Sequence, residues 1–175
     1  MRILSIDPAL RNTGYAVIEQ ACADGRAPQN AKYRALDYGV VKNPPKLRPS
    51  SCLVEIRQQL LAVIEKHQPE VCAIEAVIYV QSFKTAITMG AARGAALMAA
   101  AEHGMAIHEY APKRVKQAVV GRGGATKDQV AFMMRALLGL TETPPSDAAD
   151  AMAIGMTHFY TKDTAEMLGK APAEI

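Results

Sequence analysis

The chain opens on an apolar run that ends in an acid. From Arg2 to Asp7, "RILSID", hydrophobic residues follow one another almost unbroken, the pattern of a strand buried on both faces, and Asp7 ends it. Pro8 and Asn12 supply turn residues, and "TGYAVIE" has the β-branched and aromatic content of a second strand, so the pair predicts a hairpin with Asp7 at its tip. "ACADGRAPQN" is loop-like, "KYRALDYGVV" predicts a third antiparallel strand, and "KNPPKLRPSS" breaks it. From Ser51 the period changes. Leu53, Ile56, Leu60 and Ile64 recur at three- and four-residue steps and predict an amphipathic helix that closes before Pro69. "VCAIEAV" then predicts a short buried strand with Glu75 near its end.

Ser82, as an N-cap, and Gly104, as a stop, bracket a helix of small residues. Within it Gly90 and Gly94, one turn apart, predict close approach of another backbone. "MAIHEYA" predicts a fifth strand. Thr126 to Gln129, "TKDQ", has capping-box form, and Val130, Met133, Met134, Leu137 and Leu138 follow at helical spacing as far as Gly139. Pro145 and Ser146 start the last helix, "PPSDAADAMAIGMTHFY", with two aspartates at its opening. The order is three strands, helix, strand, helix, strand, helices.

At 175 residues the chain suits one packed domain, expected over residues 1–165, with 166–175 a fraying tail. No apolar stretch approaches the roughly 18 residues needed to span a membrane. Ser5 and Asp7 interrupt the first apolar run too early for a signal peptide, so a soluble, cytoplasmic protein is expected. Cys22, Cys52 and Cys72 are widely spaced and read as reduced thiols, and the four histidines form no zinc array. The net charge of +3 is small but unevenly spread. Between Ala111 and Arg135 lie Lys113, Arg114, Lys116, Arg122, Lys127 and Arg135 against Asp128 alone, either a solvated surface or a nucleic-acid contact.

Asp147 and Asp150 are three apart, on one helical face and about 4.5 Å apart along the axis. Either alone is explained by the helix dipole. Asp7 and Glu75 are not, because acids at the ends of buried strands lose hydration unless a cation pairs with them. Four converging acids repel one another, and a divalent ion resolves that. Carboxylate oxygens without histidine or thiolate point to magnesium or manganese. His158 lies too far along the helix to join them.

"SIDPALRNTGYAVIE", "AIEAV", "APKRVKQAVVGRGGATKDQV" and "SDAADAMAIGMTH", in this order, resemble the RuvC family of bacterial Holliday-junction resolvases, over nearly the whole chain to about Tyr160. The resemblance implies an RNase H-like α/β domain, a five-stranded mixed sheet with three antiparallel strands followed by parallel ones, flanked by helices. It implies a metal-dependent endonuclease that resolves four-way DNA junctions by symmetric paired nicks, leaving 5′-phosphate and 3′-hydroxyl ends. Asp7, Glu75, Asp147 and Asp150 would be the catalytic acids and hold two magnesium ions. Lys116 and Lys127 match basic positions near the DNA backbone, and Lys113, Arg114 and Arg122 extend that DNA-binding surface. A homodimer and a branch-migration motor of RuvA and RuvB are the implied partners. We expect the helix from Ser82 to Gly104 to form the dimer interface.

The chain departs from the family pattern at Ala9, where glycine is frequent, and at Ile78, where an aromatic is usual; Tyr79 beside it is expected to stack on unpaired bases. An actin-like ATP-binding fold would need a second lobe. A YqgF-like RNA nuclease shares the acids but fits the Ser82–Gly104 helix and "VKQAVVG" less well. A non-catalytic DNA-binding relative would have lost acids that are all present here.

Overall fold

The computed structural model describes residues 1–20, 32–77, 82–167 and 174–175. The chain runs β1 (Arg2–Asp7), β2 (Asn12–Gln20), β3 (Tyr33–Lys42), α1 (Pro49–His67), β4 (Val71–Glu75), α2 (Phe83–Ala101), β5 (Ala106–Tyr110), α3 (Pro112–Val120), α4 (Lys127–Leu137) and α5 (Ser146–Met167). The strands form one sheet in the order β3-β2-β1-β4-β5. β2 pairs antiparallel with β1 and with β3, while β4 runs parallel to β1 and to β5. This is the mixed sheet expected from the sequence.

β1 is the central strand, which explains its unbroken apolar pattern: Ile3, Leu4, Ser5 and Ile6 are all fully buried. Alternation along the strand divides the core in two. Leu4 and Ile6, with Val17, Cys72 and Ile74, pack under α1 and α2. Ile3, with Ala16, Ile18, Ala73 and Tyr110, packs under α3, α4 and α5. By the same alternation Asp7, Gly14 and Glu75 face α5.

α5 lies on the sheet and is itself covered by α3 and α4. Every residue from Ala151 to Phe159 is buried, so this part of the helix is covered all round and carries no one-sided stripe to read. It continues through Met167, beyond the segment that the sequence marked. α3 was not expected as an element. Only Val115 and Val119 turn inward, and charged residues around them gave the stretch the look of a surface loop. Pro112 at its start and Gly121 at its end, with φ of 84°, nonetheless bound it as a helix.

The capping box at α4 is formed: Thr126 Oγ1 accepts from the Gln129 backbone N–H, and the Thr126 N–H donates to Gln129 Oε1 at 3.0 Å. Ser82 occupies the N-cap of α2 but makes no side-chain bond there. Among the described residues nothing lies within 4 Å of where a Cβ would stand at Gly90 or Gly94, so the close approach expected there is not made within this part of the chain. Met134 is in the core while Met133 is only partly buried. Cys52 and Cys72 are free and buried; Cys22 lies outside the described residues. Among the described residues no helix is long and apolar enough to cross a membrane.

Candidate active site

The parallel pairing Ile6↔Ile74 carries Asp7 and Glu75 side by side off the same end of the sheet, and both point toward α5. The first turns of α5 run across that end. Asp7, Asp147 and Asp150 each bring a carboxylate oxygen within 4.8 Å of the other two. Glu75 stands outside this triplet and reaches it through a hydrogen bond between its carboxyl and that of Asp7.

The group is held against its own charge. Burial and then repulsion from Asp150 push the Asp7 carboxyl up to about 6. Burial, followed by repulsion from Asp7, pushes Glu75 up to about 7. Among the described residues one cation answers the charge. Lys127, the first residue of α4, places Nζ 3.0 Å from Asp150 Oδ2 and 3.8 Å from Asp147 Oδ1. Its ammonium is held above the usual lysine range chiefly by the bond to Asp150. A donor set of hard oxygens, mutually repelling and close enough to share one ligand, fits a divalent cation of the magnesium or manganese type.

The family model for the crossover junction endodeoxyribonuclease RuvC matches residues 3–158. A RuvC of Akkermansia muciniphila is 58% identical over 163 residues, 93% of each chain. The chain belongs to the RuvC family. Among solved structures, Thermus thermophilus RuvC in complex with a Holliday junction substrate superposes with a TM-score of 0.84 at 35% identity, covering 100% of this chain and 99% of that one. The yeast mitochondrial Holliday junction resolvase, with a TM-score of 0.52 and 16% identity over 89% of this chain and 76% of that one, shares the fold.

Within this RuvC-family chain the structure brings together Asp7, Glu75, Asp147 and Asp150. It also brings in Lys127, expected among the phosphate contacts and found on the acids. Sequence spacing could not show this, since it depends on how α4 docks on α5. The other basic residues lie apart on α3 and the loop after it. Lys113 is exposed and Lys116 half-buried. Arg114 donates to Thr161 Oγ1 at 3.2 Å and lies 5.8 Å from the Tyr110 ring centre. Arg122 donates to Gln129 Oε1 at 2.7 Å, tying the glycine-rich loop to the α4 cap. Tyr79 and Ile78 lie outside the described residues. His158 is away from the acids, as expected, its Nδ1 2.9 Å from the Tyr110 hydroxyl.

Proposed function

We propose that the chain resolves four-way DNA junctions with magnesium held by Asp7, Glu75, Asp147 and Asp150, two ions per site. The observation that supports this most is the convergence of these carboxylates at the end of β1 and β4, in a fold aligned over its whole length with a RuvC solved on a Holliday junction. Magnesium in such a setting supplies a lowered pKa of water and neutralises charge on a departing 3′ oxygen. The chain's own part is to hold the acids ready. Burial and mutual repulsion raise the Asp7 and Glu75 carboxyls, a cost that a bound cation would relieve, and Lys127 lies against Asp147 and Asp150. Lys113, Arg114, Lys116 and Arg122 supply positive charge along which the phosphate backbone is positioned. Tyr79 is proposed to stack on a base at the crossover, with the fully exposed Phe83, 91% accessible, as the next aromatic to test.

Cutting two strands symmetrically calls for two sites related by a two-fold axis, hence a homodimer. Ile87, Gly90, Gly94 and Met98 follow one another at three- and four-residue steps on α2, and Ile87 and Met98 are 73% and 55% exposed. The two open glycines would let a second copy approach there. The family also suggests a branch-migration motor of RuvA and RuvB as partner, and a cytoplasmic setting.

The test is a synthetic four-way junction incubated with the protein and magnesium. Paired nicks at symmetric positions, sealed by ligase without further processing, are expected. Cleavage of linear duplex at the same rate, or no cleavage of the junction, would contradict the assignment.

A further inference from the structure

Asp7 pairs across the β1–β2 ladder with Gly14, so the two residues face the same side, toward α5. The space that a Gly14 side chain would fill is taken by main chain. A Cβ there would overlap the carbonyl oxygen of Asp147 outright, and would stand 2.6 Å from the Asp147 carbonyl carbon and 3.3 Å from the Ala148 nitrogen. The start of α5 therefore sits on bare β2 backbone, one strand over from Asp7.

A second glycine on the same helix makes a useful contrast. At Gly155, eight residues further along α5 and roughly 12 Å down the axis, a Cβ would meet Ser5 Oγ at 2.8 Å and Ile18 Cδ1 at 3.0 Å. The two nearest atoms are side-chain ends, with Ser5 Cβ behind them at 3.2 Å, and no main chain lies among the contacts. The Asp147 carbonyl is backbone and cannot turn away, short of moving the helix.

We propose that Gly14 is a positioning residue for the acid cluster: its missing side chain lets the backbone of Asp147 rest on β2, and this contact sets the spacing between Asp7 and the Asp147–Asp150 pair. It rests on the reading that these acids hold a divalent ion. A side chain at position 14 lifts the first turn of α5 and spreads the carboxylates without removing any of them. In the linker entering α5 Thr141, Glu142 and Thr143 are exposed while Pro144 is buried, so an insertion ahead of Pro144 asks whether the linker shares in setting the spacing.

The test is calorimetric titration of the full-length protein with Mn2+, alongside junction binding in EDTA. Gly14→Ala is expected to weaken Mn2+ binding by about tenfold or more, the range seen when groups that orient metal ligands are lost, with junction binding within about twofold of wild type. Gly155→Ala is expected to lower the melting temperature while leaving Mn2+ affinity within about twofold, which separates positioning from general destabilisation. Insertion of one glycine after Glu142 is likewise expected to leave the affinity unchanged, and it decides the matter if Gly14→Ala does not fold. Wild-type affinity in Gly14→Ala, or an equal loss in the insertion variant, would overturn the proposal while leaving the metal reading intact. A wild-type protein that fails to bind Mn2+ at millimolar concentration would overturn both.

Discussion

The two ends of α5 press polar groups onto the same face of the sheet and solve the problem of burial in opposite ways. Near its C-terminal half, His158 meets the Tyr110 hydroxyl at 2.9 Å and lies against His108, the rings tilted by 53° with centres 4.7 Å apart. Burial first, then the His108 and Lys162 charges, push His158 down to about 4, so it is neutral and its polar atom is satisfied within the chain. At the N-terminal end Asp7, Asp147 and Asp150 crowd together with Glu75, and among the described residues Lys127 alone forms an ion pair with them. A buried polar group that is complete by itself is architecture. One whose acids crowd and repel one another is suited to hold a cation.

The sharpest way to break this contrast is at Asp7. Asp7→Asn is expected to reduce junction cleavage by at least about 10³-fold, roughly 4 kcal/mol of lost transition-state stabilisation, while junction binding in gel-shift assays stays near wild type. Retained cleavage would make the acid end as structural as the histidine end.

The two ends should also respond to pH with opposite sign. Asp7 and Glu75 hold protons more tightly folded than unfolded, so their contribution to metal-free stability is present at low pH and lost as pH rises from about 4 toward 7. The loss for the pair together is on the order of several kcal/mol. His158 binds its proton less tightly when folded, so its contribution is present above about 6.5 and lost as pH falls toward 4. Urea denaturation across pH 4–8 in EDTA checks both limbs. Asp7→Asn should flatten the first, and His158→Phe the second.

A smaller effect is expected from Tyr110→Phe, which removes one buried hydrogen bond and should cost about 1 kcal/mol without altering cleavage rate. Smallest is Lys116→Ala, which should lower the slope of log binding constant against log salt by about one if that side chain meets one phosphate. An unchanged slope would assign Lys116 to the solvated surface.

Much of the contrast was legible in the sequence. The unbroken run into Asp7 marked a central strand, the change of period at Ser51 marked a helix, and "TKDQ" marked the α4 cap, because each is a local pattern with a local cause. Four acids at element ends pointed to their own convergence, since nothing else would hold them. What was not legible depends on tertiary docking. α3 hides behind its charges because two valines suffice to anchor nine residues. Gly90 and Gly94 looked like packing glycines and face open space, whereas Gly14, inside an ordinary strand pattern, makes the close approach. Lys127 reads as one basic residue among several until α4 is laid against α5.

The central claim is that the acid end of α5 is incomplete without a divalent cation. Melting curves at pH 7.5, with EDTA and with magnesium, for wild type and Asp7→Asn test it directly. Asp7→Asn should melt higher than wild type in EDTA, because it removes one of the repelling charges, and magnesium should raise the melting temperature of wild type while leaving the variant nearly unmoved. A wild type indifferent to magnesium, or an Asp7→Asn protein less stable than wild type in EDTA, would contradict the account.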